Sequence, residues 1–239
     1  MLCTVPATLN RLIEQLPRRD RSALLAASQT VPLVLGAVLW QPDAAVRHVY
    51  FPDEGFISLV TAIPGEPGLE VGMVGREGML GVHLALGARI APLLALVQGA
   101  GSARRIGAGA FRRTLVSSQA LQAQLHRYAC VLMAQLATGA ACTRFHQVGP
   151  RLARWLLMSH DRAEAAQFRL THEFMAYMLG VRRAGVTRAA GDLQRHGLIR
   201  YHRGEMSVLD RAGLEAAACG CYAADRTAYE RVLGRARAP

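Results

Sequence analysis

Apolar positions change their period along the chain, and the changes divide it. Over residues 31–106, short apolar runs at 31–35, 46–51, 56–62, 69–74 and 93–97 alternate with Gly and Pro at close intervals. Short strands with regular turn residues predict a sandwich or barrel. Upstream, Leu12, Ile13, Leu16, Leu24 and Leu25 read as small helices broken at Pro17 and Asp20, packing on that barrel. After Gly109 the period becomes helical. Leu121, Leu125, Tyr128, Leu132 and Leu136 recur at spacings of four, three, four and four, an apolar seam on one long helix. The seam fits an intramolecular core helix and a dimer helix equally, because spacing alone does not name the partner. Gly149 and Pro150 are expected to end the helix, since Pro lacks the N–H that the next turn would need. The predicted division is a sensor-like barrel over 1–108, a long helix over 109–148 and a C-terminal domain over 149–239.

The next segment carries the most specific pattern. Residues 170–194 read LTHEFMAYMLGVRRAGVTRAAGDLQ. Thr171 suits a helix N-cap and Glu173 its first turn, while Phe174, Met175, Met178 and Leu179 give one apolar face. Gly180 falls where a tight turn needs a permissive backbone, and Val186, Ala190 and Leu193 give the buried face of a second helix. Small Ala176, then Gly180, then Val186 have the separations of a helix-turn-helix. The second helix projects Arg182, Arg183, Thr187 and Arg188 from its N-terminal half, the part that reaches base edges in a major groove. Beyond Gly197, the apolar pairs of LIRYHRGEMSVLD flank a turn at Arg203 and Gly204, which predicts a two-stranded wing carrying Arg200, His202 and Arg203 along a phosphate strand. Asp210 would cap the last helix, with Leu214, Ala217 and Ala218 packing back.

Composition sharpens the picture at two points. With 51% apolar residues in 239, the chain buries a core without disulfide staples. Its basic complement is 28 Arg and no Lys against 17 acids, a net charge of +11 that calls for an anionic partner. That excess is concentrated: residues 181–203 hold six Arg and the single Asp192. Cysteines at 3, 130, 142, 219 and 221 form no Cys-x-x-Cys pair, which points to a reducing compartment. No apolar run approaches a membrane span, and the N-terminus lacks a signal-peptide core, so a cytoplasmic protein without membrane attachment is expected.

The order of barrel, long helix and winged helix-turn-helix resembles the Crp/Fnr superfamily of bacterial transcription regulators over nearly the whole chain. VYFPDEGFISLV and LEVGMVGREGMLG are similar to its cyclic-nucleotide-binding-like barrel, and the stretch from Leu170 to Gly204 to its DNA-binding domain. The resemblance implies an α+β fold and a homodimer through the long helix. It also implies a two-fold-related site in double-stranded DNA and contact with RNA polymerase. Arg183 and Arg188 match the arginines of the family's base-reading pattern, but Ala184 stands where its Glu belongs, so a different half-site is expected.

The sensor departs further. Gly81 is followed by Val82 and His83 rather than by the family's Glu, and GARIAPLLA replaces its phosphate-binding Arg pair. A buried cyclic phosphate without its cation is prohibitive, so cyclic AMP control is disfavoured and any effector is unidentified. Arg76, Glu77, Gly78 and Gly81 are the candidate pocket-edge residues. Cys3, Cys130 and Cys142 build no iron-sulfur cluster. Cys219 and Cys221 read as isolated thiols, and no metal site is expected. Catalysis is not expected either: His172 has the first half of a zinc-protease pentad, but Ala176 occupies the second ligand position. The alternative function is a ligand-binding regulatory protein whose winged helix docks a protein partner.

Overall fold

The computed structural model describes residues 9–61, 68–163, 167–202 and 204–234. Arg203 and Cys3 lie outside them. Helices α1 (Arg11–Glu14) and α2 (Arg18–Ala26) precede an antiparallel sheet of β1 (Gln29–Leu33), β2 (Val38–Trp40), β3 (His48–Thr61), β4 (Leu69–Val74) and β5 (Leu94–Gly107). The strand order is β1-β5-β3-β4, with β2 also paired to β5. Leu12, Ile13, Leu16 and Leu24 are buried against it, as expected of the two small helices.

Two strands are longer than their apolar runs. β3 joins the runs at 46–51 and 56–62, because Pro52 and Gly55 fall at register shifts against β5 and bend the strand instead of ending it. β5 continues past Val97 through its glycines to Gly107, pairing with both β1 and β3.

The helical region is also partitioned differently. Residues 108–145 form α3 (Ala108–Ser117) and α4 (Gln119–Phe145), separated at Ser118. The extended Ser118 backbone breaks the helix and its side chain accepts from the Leu121 N–H, capping α4. Gly149 and Pro150 do not end this helix. They occupy the first turn of α5 (Val148–Ala163), where a missing N–H leaves nothing unbonded.

The seam on α4 faces the sheet of the same chain. Leu121, Leu125 and Tyr128 are at most 2% exposed and belong to the sheet-domain core, with Leu132 packed beside them. Leu136 is half-buried along the same face. Of the two readings of the seam, the core helix holds and the dimer helix is corrected for Leu121, Leu125 and Tyr128, since side chains sequestered within one chain offer no contact to a second. The exposed side of α4 carries Ala123, Cys130, Met133, Ala134, Ala137, Ala141 and Phe145 instead. Gly78 follows from the same packing: a Cβ there would lie 2.2 Å from the Tyr128 hydroxyl.

A second core joins α5 to α6 (His172–Leu179), α7 (Arg183–Arg195), α8 (Arg211–Ala217) and a small sheet. That sheet has three strands and not the two of a simple wing: β6 (Gln167–Arg169), β8 (Glu205–Val208) and β7 (Ile199–His202), in that order. Asp210 caps α8 through the Gly213 N–H at 2.9 Å. α8 is not the last helix. α9 (Cys221–Leu233) follows and returns to the first domain, where Tyr229 and Leu233 enter the sheet-domain core. Among the described residues, no helix is long and apolar enough to cross a membrane.

Candidate nucleic-acid interface

Local chemistry sets the two crossing helices. Thr171 accepts from the Phe174 N–H at 3.1 Å and starts α6, so its side chain serves as a cap. Gly180 ends α6 at φ +61°, a left-handed backbone that calls for glycine. The Val181 N–H then donates to the Ala176 carbonyl at 3.0 Å, turning the chain into α7. Val186, Ala190 and Leu193 are buried beneath α7, and Ala176 is buried at the crossing.

What remains outward is cationic. Arg182, Arg183, Thr187 and Arg188 are all exposed on the N-terminal half of α7. None of the three arginines forms an ion pair among the described residues, whereas Arg195, on the last turn, is bonded to Asp192. The unbonded N–H groups at the start of α7 add positive potential at the same end. On the adjoining strand, Arg200 and His202 are exposed.

The place of His172 in this surface is what pattern reading missed. Its Nδ1 and the Thr187 hydroxyl share a 3.0 Å hydrogen bond, and its ring stacks on Tyr201 at 4.5 Å between centroids. Tyr201 in turn bonds the Gln194 side chain through its N–H and the Leu170 carbonyl through its hydroxyl. These contacts fasten α6, α7 and the wing into one surface. Burial, and then the charge of Arg183, hold the His172 pKa below its usual value, which favours a neutral ring beside the arginines. Its partners lie 15 and 29 residues away in sequence, so no local spacing announced them.

The four pocket-edge candidates do not form one site. Arg76 bonds the Leu9 carbonyl and the Glu14 carboxylate. Glu77 pairs with Arg162 of α5 at 2.7 Å, with both side chains mostly buried, and its carbonyl accepts from the Tyr229 hydroxyl. Both line a cavity of about 440 Å³ between the sheet domain, α5, α8 and α9, together with Asp161, Arg211 and Tyr222. Gly78 abuts Tyr128, and Gly81 opens the 3-10 turn Val82–Leu86. The sequence separates charges that the fold joins, because Glu77 and Arg162 are 85 residues apart. The thiols expected to be isolated also come together: Cys142, Cys219 and Cys221 converge with His146.

Comparison with known proteins agrees with this geometry. Residues 150–217 match the family described as the Crp-like helix-turn-helix domain. The chain has the Crp/Fnr fold and a Crp-like helix-turn-helix domain. Among solved structures, FixK2 from Bradyrhizobium japonicum is similar at a TM-score of 0.67 and 14% identity, over 80% of this chain and 98% of that one. A Crp/Fnr-family transcriptional regulator from Thermus thermophilus is similar at 0.64 and 20% identity, over 80% and 98%. CLP from Xanthomonas campestris, a global regulator responsive to c-di-GMP, is similar at 0.64 and 16% identity, over 80% and 99%. No curated protein matches.

Proposed function

We propose that this protein is a homodimeric, sequence-specific DNA-binding transcription regulator that presents one α7 helix to each half of a two-fold-related operator. The observation that carries the reading is the row of exposed arginines at the N-terminal half of α7, without ion-pair partners among the described residues, on a helix fastened to its neighbours through His172. Arg182, Arg183 and Arg188 are free to grip phosphates or to bond guanine through two parallel hydrogen bonds. Arg200 and His202 extend the cationic surface along the wing.

The dimer reading is supported by the outer face of α4. Ala123, Cys130, Ala134, Ala137 and Ala141 recur at spacings of seven, four, three and four, small side chains that let a second helix approach closely. Independence from cyclic AMP is supported by Arg89, the arginine of the departing stretch, which is exposed on the surface. Near it, Val82, Leu84 and Ala91 are buried in the sheet-domain core, and Trp40 meets His83 edge-on at 5.4 Å.

The test is selection of genomic fragments by the purified protein, followed by affinity for the enriched site with and without cyclic AMP and cyclic GMP. The expected result is a palindrome bound equally in all three conditions, with affinity that falls steeply with salt through counterion release. Binding only with nucleotide would overturn the independence. The absence of any enriched site, with salt-insensitive capture of a protein instead, would replace DNA by a docking partner.

A further inference from the structure

The structure assigns a four-ligand site for a single tetrahedral transition-metal ion of the zinc class to Cys142, His146, Cys219 and Cys221. Their ligand atoms all lie within 4.8 Å of one another. The Sγ atoms of Cys142 and Cys219 are 3.5 Å apart, and Cys221 Sγ is 3.7 Å from His146 Nδ1. A tetrahedral ion with bonds of about 2.3 Å to sulfur and about 2.0 Å to nitrogen sets S···S edges near ~3.8 Å and S···N edges near ~3.5 Å. The two separations match those edges. Three thiols and one imidazole form a soft donor set that suits zinc and is foreign to magnesium or calcium.

The backbone holds the ligands in place before any ion arrives. Cys142 and His146 stand four residues apart on the last turn of α4, where the His146 N–H donates to the Cys142 carbonyl at 3.1 Å. Cys219 and Cys221 bracket Gly220 at the start of α9, and the Cys219 N–H donates to the Pro150 carbonyl at 3.3 Å. Cys142 and Cys219 are buried, Cys221 is half-buried and His146 is exposed, which leaves an entry path from solvent. Binding would release the thiol protons to water and leave three thiolates around a dication, a net charge of −1. Arg151 lies close enough to the thiol pair to offset it.

The site ties two elements that flank the winged domain in the chain. It joins the C-terminal end of α4 to the start of α9 across the short turn from which the winged domain hangs, so an ion there fixes that turn.

Metal analysis of the full-length protein, purified under reducing conditions without chelator, tests the assignment. The expected result is about one zinc per chain, released by a mercurial thiol reagent. The metal-stripped protein should bind cobalt(II) with the visible bands of tetrahedral thiolate coordination. Replacing the buried thiols can unfold the chain, so the deciding variants are His146→Ala and Cys221→Ser. Each should weaken metal binding by more than about tenfold, while Cys130→Ser, exposed on α4 away from the cluster, leaves it unchanged. Three results would overturn the site: no zinc as isolated together with no cobalt spectrum, equal metal retention in the two ligand variants, or a Cys142–Cys219 disulfide in protein alkylated before reduction.

Discussion

The outer face of α7 and the cleft beneath the sheet domain are both rich in arginine, yet they treat the charge in opposite ways. In and beside the cleft three guanidiniums meet carboxylates: Arg162 bonds Glu77, Arg211 bonds Asp161 and Arg154 bonds Asp225, all at 2.7 Å. On α7, Arg182, Arg183 and Arg188 meet none among the described residues. The comparison separates structural charge from charge kept for a partner. A net charge of +11 does not make that separation, because it sums both kinds.

The largest test of the difference lies in the cleft. In Glu77→Ala the Arg162 side chain, 10% exposed, would keep its charge without its partner. The expected loss is about 3 to 5 kcal/mol of unfolding free energy in urea, because an unpaired buried charge keeps its desolvation penalty. The double variant Glu77→Ala/Arg162→Met should recover much of it. A loss below about 1 kcal/mol would place the pair with ordinary surface bridges and blunt the contrast.

Glu70 tests the same region through pH. Its Oε1 accepts from Trp155 Nε1 at 2.9 Å, tying β4 to α5, while its Oε2 is buried with no hydrogen-bond partner among the described residues. Burial pushes this carboxyl up to about 7, against 4.5 when unperturbed. Between those values the native state holds a proton that the unfolded chain has released. The associated stability is therefore complete below pH 4.5 and is lost as pH rises through about 7. Glu70→Gln keeps an acceptor for Trp155 without the titration. Relative to that variant, the natural chain should lose up to ~3 kcal/mol across the window, measured by urea unfolding at each pH. Parallel pH profiles would mean that water reaches Oε2.

On α7 the same change of residue should leave stability alone and act on DNA. Arg183→Ala or Arg188→Ala is expected to cost about 1 to 3 kcal/mol on the selected site if that arginine bonds a base, with relaxed preference at one position. Equal losses on specific and random duplexes would reassign the arginine to phosphate.

How legible these regions were in the sequence follows the same division. The helix-turn-helix was readable because a left-handed backbone at Gly180 and a close crossing at Ala176 restrict residue type locally. The caps at Thr171 and Asp210 were readable for a similar reason, since each side chain bonds an N–H three residues ahead. The seam of α4 was visible, but its partner was not, because Leu121, Leu125 and Tyr128 present the same spacing to a sheet as to a second helix. Pro150 reads alike as a residue that stops one helix or opens the next. The Glu77–Arg162 pair and the cysteine cluster were closed to sequence reading, as their members are 85 and up to 79 residues apart and meet only when α5 and α9 fold back on the first domain.

Arg200 on β7 gives the smallest and most discriminating effect. It is exposed on the wing, beside the surface that His172 and Tyr201 fasten to α7. A wing arginine laid along phosphates contributes one neutralised charge and no base preference. Arg200→Ala should therefore weaken binding by a similar factor on every sequence and, with one copy in each subunit of the dimer, lower the slope of log affinity against log salt by about 1.8. Arg183→Ala, if it reads a base, should shift the sequence profile instead. A changed profile for Arg200→Ala would make the wing a reader of bases, and an unchanged salt slope would remove it from the interface, leaving α7 to bind without it.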